Sequence, residues 1–267
     1  MPRRRLDVEL VRRRLATSRE EARSLVDAGR VRVGGVPTTK ASRLVGPDEA
    51  VVVEGPARRF VGRGGEKLDA ALEAFAVEVA GRRALDLGAS TGGFTDCLLQ
   101  RRAAGVVALD VGYGQLHPRL RDDPRVEVRE RTNARHLRPG DLDPPVEVLV
   151  ADLSFISLRT VLPAALGVVA PGADLVLLVK PQFEAGRAEV GRGRGIVSDP
   201  ATWRRVLGEV ASALEGLGAT IMGAMPSPLT GADGNVEFLV HAVAPPPPAV
   251  PPAVDLDAVV ASVGSPR

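Results

Sequence analysis

The stretch Arg83-Ala84-Leu85-Asp86-Leu87-Gly88-Ala89-Ser90-Thr91-Gly92-Gly93-Phe94-Thr95-Asp96-Cys97-Leu98-Leu99 decides how the rest of the chain is read. Its first five residues form a short apolar run. A glycine-rich loop follows, and Phe94 to Leu99 has a helical pattern. Strand, glycine loop and helix together open a mononucleotide-type α/β half-fold. Glycines let the backbone come close to a ligand, and the helix start offers free amides. No Gly-Lys-Ser/Thr closes the loop, which argues against the phosphate-cradling ATP motif. A dinucleotide loop wants Gly-x-Gly-x-x-Gly, and here Ser90 stands where the middle glycine belongs. Asp86, two residues before Gly88, is unfavourable beside a pyrophosphate and suits a cationic or amino-acid-bearing cofactor. The next apolar run, Val106-Val107-Ala108-Leu109-Asp110, ends in a second acid, placed to accept from ribose hydroxyls. A carboxylate at each of the first two strand ends, with the loop between, points to S-adenosylmethionine. Gly88, Ser90, Gly92, Gly93 and Phe94 are read as the loop that holds it.

Further strand-like runs recur at 126–128, 146–150, 175–179 and 236–240, with helical stretches between, notably 158–169 and 200–217. That alternation predicts a doubly wound, mainly parallel sheet with helices on both faces. Ligands in such sheets collect at the carboxyl ends of the strands. Asp152 ends the fourth run and Lys180 the fifth, Glu237 lies in the last, and Arg131-Thr132-Asn133 follows the third, where Asn133 is placed for an adenine ring.

Lysine usage singles out two of these places. The chain has three lysines, Lys40, Lys67 and Lys180, against 32 arginines. Lys can give up its proton at modest cost and Arg cannot, so a Lys retained in an Arg-rich chain suggests chemistry. Lys180 closes an apolar strand and Lys67 sits just ahead of the glycine loop. Together with Asp152 and Glu237 they would form either two buried salt bridges or a catalytic group. Buried ion pairs are weak stabilisers, and convergence at the ligand edge of a sheet favours catalysis.

Charge is unevenly spread. Residues 1–65 carry a net +7 and residues 66–267 a net −5. The early arginines Arg12, Arg13, Arg14, Arg19, Arg23, Arg30 and Arg32 fall on a helix, a second helix opened by a Ser18-Arg19-Glu20-Glu21 capping box and ended at Gly29, and the short strands that follow. A basic module beside a mildly acidic one fits a polyanion anchor. Residues 55–65 read as a linker whose Arg58, Arg59 and Arg63 are also available to a phosphate backbone. The segment 184–195, with Arg187, Arg192 and Arg194 among glycines, reads as a mobile RNA-facing loop, and 244–252 is proline-rich.

The N-terminal order, carried by Ser18-Arg19-Glu20-Glu21-Ala22-Arg23 and Gly29-Arg30-Val31-Arg32-Val33-Gly34-Gly35, resembles the small RNA-binding domain shared by a ribosomal small-subunit protein, tyrosyl-tRNA synthetases and several pseudouridine synthases. The resemblance implies arginines presented to RNA phosphates, which position without specifying sequence. Lys67, Asp152, Lys180 and Glu237 resemble the Lys-Asp-Lys-Glu tetrad of FtsJ-type ribose 2′-O-methyltransferases. Taken with the N-terminal module, Arg63-Gly64-Gly65-Glu66-Lys67-Leu68, 86–94, 151–157, 178–184 and Gly234-Asn235-Val236-Glu237-Phe238 resemble the TlyA family. That resemblance implies a class I methyltransferase fold, S-adenosylmethionine as donor, and ribosomal RNA or its subunits as substrate, with cytidine 2′-hydroxyls methylated and Lys180 activating them. It also implies domains at 1–54 (RNA-binding), 55–65 (linker), 66–243 (methyltransferase) and 244–267 (tail). One departure stands in the linker: the family often shows Arg-x-Trp-Val, whereas this chain has Arg58-Arg59-Phe60-Val61.

Other functions meet obstacles. Exocyclic-amine methyltransferases usually carry Asp/Asn-Pro-Pro-aromatic after the fourth strand, and Asp152-Leu153-Ser154-Phe155 lacks both prolines. Cytosine-carbon enzymes need a cysteine near that strand, and the lone Cys97 lies in the helix after the loop. TlyA relatives also carry the description of haemolysins, membrane-active toxins. No apolar stretch here nears the ~20 residues of a membrane span, and the start lacks a signal-peptide pattern. A binding protein with an inactive enzyme domain is a third reading, opposed by the intact tetrad. One cysteine and three histidines without ligand spacing predict a cytoplasmic protein with no metal.

Overall fold

The computed structural model describes residues 3–13, 15–16, 19–55, 59–186, 195–231, 234–246 and 252–264. It divides into two compact units, 1–61 and 62–267.

In the first unit, α1 (Leu6–Arg12) and α2 (Arg19–Asp27) precede the short strands β2 (Val31–Val33), β3 (Val36–Pro37) and β5 (Val51–Val53), which pair antiparallel in the order β3-β2-β5. A second pair joins β1 (Arg4–Arg5) to β4 (Leu44–Val45). Leu6 and Leu10 from α1, Ala22, Leu25 and Val26 from α2, and Val31 and Val33 from β2 share one small core. The helical spacing of the first set and the alternation of the last explain why each element buries one face. Gly29, at φ +67, ends α2 in the left-handed region that side chains avoid.

The second unit opens on α3 (Gly64–Ala74), which starts within the span read as linker. The central sheet has β6 (Arg83–Leu87), β7 (Gly105–Leu109), β8 (Val126–Arg129), β9 (Val146–Ala151), β10 (Val169–Val179), β11 (Thr220–Pro226) and β12 (Phe238–Val243) in the order β11-β12-β10-β9-β6-β7-β8. Neighbours from β10 through β8 run parallel, and β12 is antiparallel to both its neighbours. Between them run α4 (Gly93–Gln100), α5 (Pro118–Arg121), α6 (Leu158–Leu166), α7 (Pro181–Glu184) and α8 (Pro200–Gly216). The chain order reverses between β6 and β9, so a crevice opens beyond their carboxyl ends. The main core lies over β6, β9, β10 and β12, with α6 and α8 packed on it through Val161, Leu162, Val206, Leu207 and Val210.

Further details differ from the sequence reading, among them the helix expected over 158–169, which ends at Leu166 before Val169 opens β10. β11 was not expected; its Met-Gly-Ala-Met interior lacks β-branched residues after Ile221, and pairing with β12 makes it a strand. The last strand begins at Phe238, so Glu237 lies just before it, in the turn where Ser227 N donates to Glu237 O. The tail returns as α9 (Leu256–Ala261), which rests on α8 and β11, with Arg204 of α8 paired to Asp257 at 2.9 Å.

Candidate active site

Asp86 lies in β6, fully buried. Its Oδ2 accepts from the Thr95 hydroxyl of α4 at 2.6 Å, while Oδ1 has no partner. Burial, with Asp152 and Asp110 adding like charge, pushes its carboxyl up to about 7, against the bond from Thr95. The loop then bends sharply. Gly88 has φ +82, and a Cβ there would stand 2.5 Å from the Asp152 carbonyl oxygen. Glycine is therefore required by both conformation and space. Ser90, at φ +48, donates its amide to Asp110 Oδ2 at 2.8 Å, and Gly112 N donates to Asp110 Oδ1 at 2.6 Å. The second acid thus holds the glycine loop against the end of β7.

A cleft of about 600 Å³ opens here, lined among others by Gly88, Ser90, Asp110, Asn133, Asp152 and Phe155. Asn133 caps the turn at 134–136, its Oδ1 accepting from Arg135 N at 3.1 Å. Asp86 and Gly92 lie behind the loop and line neither this cleft nor the next. A Cβ on Gly92 would strike Leu120 Cδ1 at 2.3 Å, so this glycine serves packing.

A second cavity, about 180 Å³, shares Gly88, Ser90, Asp152 and Ser154 with the first and adds Arg63, Gly93, Phe94 and Lys180. Its far wall is the start of α3. Gly64 faces the Phe94 ring, and Gly93 faces Gly65 N, each so closely that a Cβ would stand 3.2 and 3.1 Å away. The glycines of Arg63-Gly64-Gly65 thus let α3 dock against the start of α4.

The four tetrad residues form two ion pairs. Lys180 Nζ lies 2.5 Å from Asp152 Oδ1 and donates to Ser154 Oγ at 3.1 Å. Lys67, on the first turn of α3, pairs with Glu237, and both are buried. β10 and β12 pair with Val179 opposite Phe238, so Lys180 and Glu237 stand at the same edge, one step beyond that pair. Asp152 N donates to Leu87 O, which places Asp152 at the same edge beside the loop. Lys180 and Asp152 line the second cavity, whereas Lys67 and Glu237 do not.

Residues that sequence reasoning left without a role complete the site. Asn235 is buried; its Oδ1 accepts from Val197 N at 2.9 Å and its Nδ2 donates to Gly195 O at 3.0 Å, tying the turn before Glu237 to the chain ahead of α8. Phe155 is 92% exposed at φ +65 and packs on Phe183 at 5.3 Å. A bulky residue held at positive φ and left in solvent marks function more than folding. The position of Ser154 two residues after the strand-ending acid was the available signal.

In the first unit, Arg5, Arg19 and Arg23 converge on buried Asp7, at 3.0, 3.0 and 3.5 Å, and hold its carboxyl far below the usual range, Arg5 most of all. Arg12 and Arg13 bind Glu9, whose carboxyl falls to about 2 chiefly through Arg12. Arg13 also donates to the carbonyls of Glu49, Gly46 and Pro47, so it braces the domain. Arg30 donates to Glu54 O, and Arg32 to Glu54 Oε1 and Gly35 O. Arg19 and Arg23 keep more than half of their side-chain surface in solvent. Arg14, Ser18, Arg58, Arg187, Arg192 and Arg194 lie outside the described residues.

Fold and site together define an α/β methyltransferase of the doubly wound type, joined to a small basic domain. The FtsJ-like methyltransferase family matches residues 60–243 and the S4 domain matches residues 4–51. The chain belongs to the FtsJ-like methyltransferase family, in the TlyA group that pairs it with an S4 domain. The 16S/23S rRNA (cytidine-2′-O)-methyltransferase TlyA of Mycobacterium tuberculosis is 54% identical over 237 residues, 88% of each chain. Hemolysin A of Brachyspira hyodysenteriae is 39% identical over 84% of this chain and 93% of its own. A solved structure from Streptococcus thermophilus, provisionally described as a hemolysin, has a TM-score of 0.78 at 38% identity and covers 98% of this chain and 96% of that one. The hemolysin-named relatives are thus the same family. Among the described residues no helix is long and apolar enough to cross a membrane, and no cluster of His, Cys, Asp and Glu is arranged to hold a metal.

Proposed function

We propose that the protein transfers a methyl group from S-adenosylmethionine to the 2′-hydroxyl of a cytidine in ribosomal RNA, in the cytoplasm. The observation that supports this most is the Lys180–Asp152 pair on the wall where the two cavities meet. The residues fit the donor: the larger cleft has Asp110 for ribose hydroxyls and Asn133 for the adenine. When bound, S-adenosylmethionine supplies a methyl activated on a sulfonium.

The substrate ribose enters the smaller cavity, beside Lys180. Paired with Asp152, Lys180 is an ammonium at rest and holds the 2′-oxygen electrostatically. To act as base it first passes a proton to Asp152 along their 2.5 Å contact, then takes the hydroxyl proton. The methyl would pass to the 2′-oxygen as its bond to the donor is given up, and the proton left on Asp152 is then released to solvent, which restores the resting pair. Lys67 and Glu237 neutralise each other behind this pair and set the edge on which it sits. Phe155 offers its open face to a nucleobase, since aromatic faces stack bases lifted from RNA. Arg19, Arg23 and Arg63, with Arg12, Arg30 and Arg32, bind phosphates.

The test is labelled methyl transfer to isolated ribosomal subunits, with the product nucleotide mapped. Label in 2′-O-methylcytidine is expected, and label on a base would overturn the reading. Lys180→Ala and Asp152→Ala should each lower transfer roughly 10²–10⁴-fold while keeping the fold and RNA binding near wild type.

A further inference from the structure

Glu184 is buried and lines neither cavity. It ends α7, the single turn that begins at Lys180, where Phe183 N and Glu184 N donate to Lys180 O at 2.9 and 3.2 Å. Its carboxylate reaches across to the other catalytic loop. Oε1 accepts from Leu158 N at 2.6 Å, and Oε2 accepts from Ser157 Oγ at 2.5 Å and Arg159 Nε at 3.3 Å. Arg159 returns a bond to Glu184 O at 2.8 Å and pairs with Glu209 of α8. A helix start is commonly capped by a side chain just before it. Ser157 fills that place for α6, yet the first amide of the helix goes to a carboxylate 26 residues away.

Residues 152–157 belong to no helix or strand. Asp152 fixes their beginning on β6, and Glu184 fixes their end. Among the described residues, three other contacts join the two loops there: Asp152 to Lys180, Ser154 to Lys180 and Phe155 to Phe183.

We propose that Glu184 is a positioning residue that sets the distance between the Asp152 and Lys180 loops, and through it the geometry of Lys180, Ser154 and Phe155 toward the ribose. This rests on the function proposed above. A loop free at one end samples geometries in which Lys180 keeps an ion pair but loses its aim, and small misplacements cost rate steeply. Glutamine retains an acceptor for Leu158 N, and the Ser157 hydroxyl can rotate to accept from its amide. Alanine retains neither.

The experiment compares full-length wild type, Glu184→Ala and Glu184→Gln by single-turnover transfer, S-adenosylmethionine titration and amide exchange across 153–158. Alanine should lower the transfer rate about 30-fold, leave donor affinity within about threefold, and speed exchange of those amides. Glutamine should stay within about threefold of wild type in all three. Wild-type transfer by the alanine variant overturns the proposal, as does donor affinity falling in step with rate, or unchanged exchange. Glutamine as impaired as alanine also overturns it, because the ion pair with Arg159 rather than the bonds to Leu158 and Ser157 would then matter. Should alanine fail to fold, Ser157→Ala, which deletes one donor to Glu184, carries the comparison. If wild type does not methylate ribosomal RNA, the proposed function falls, while amide exchange still decides the clamp.

Discussion

Asp86 shows how a single buried group ties stability to pH. Its carboxyl is raised from 3.8 to about 7, so between those values the unfolded chain has lost a proton that the folded chain keeps. Stability therefore falls as pH rises from about 4 to about 7 and is flat above, by on the order of 4 kcal/mol from this group alone. Asp86→Asn keeps an acceptor for Thr95 and removes the titration. Its melting temperature relative to wild type should rise between pH 5 and pH 8 in the ligand-free protein; an unchanged difference would contradict the raised carboxyl. Phe155 makes the opposite point, being exposed with its ring against Phe183. Stacking on one base is worth ~1–3 kcal/mol, so Phe155→Ala should reduce kcat/KM for ribosomal substrate roughly 10- to 100-fold with donor affinity intact. Equal loss of both would show that its ring serves the donor in the cleft it lines and not a nucleobase. The acids at strand ends and the two conspicuous lysines were legible because their residue types are rare or costly in those places. Glu184 and Asn235 were not, because nothing in a linear pattern tells which distant amides a buried side chain will meet.

At the scale of elements, α1 is held by its own acids. Asp7 and Glu9, depressed by Arg5 and Arg12 respectively before any other partner, contribute stability that is fully present above about pH 4.5. It is lost as pH falls toward and through 2. Asp7→Asn should thus speed amide exchange in α1 at pH 7, with the gap to wild type shrinking below pH 4. A gap that grows on acidification would refute the paired state. The same contacts explain why helical pattern and basic charge were readable while the fate of each arginine was not. Arg13 is spent on three carbonyls, and Arg19 and Arg23 share one carboxylate. α3 teaches the same lesson. Its glycines looked like a linker because glycine breaks local patterns, but here they allow contact with Gly93 and Phe94, a fact that exists only once α4 is in place.

For the molecule as a whole, charge and topology divide the labour. The net +7 of residues 1–65 sits on the S4 domain and the stretch after it, and Lys67, Asp152, Lys180 and Glu237 all lie in the unit that starts at Gly62. Deleting residues 1–58 should weaken binding to ribosomal subunits at least tenfold, and more at low salt, while changing donor affinity little. Comparable loss of both would show that the first unit is no separate anchor.

Read as letters, the chain already specifies two domains, a mainly parallel sheet, a glycine-rich loop after its first strand and four charged residues at one edge, because periodicity, glycine placement and costly charges are local signals. Three-dimensional packing decided that those charges separate into two ion pairs, that Lys67 and Glu237 stand behind rather than within the cavity, and that β11 and α9 complete the layer. Each depends on partners tens of residues away, brought close by burial of apolar surface and never encoded in any one segment.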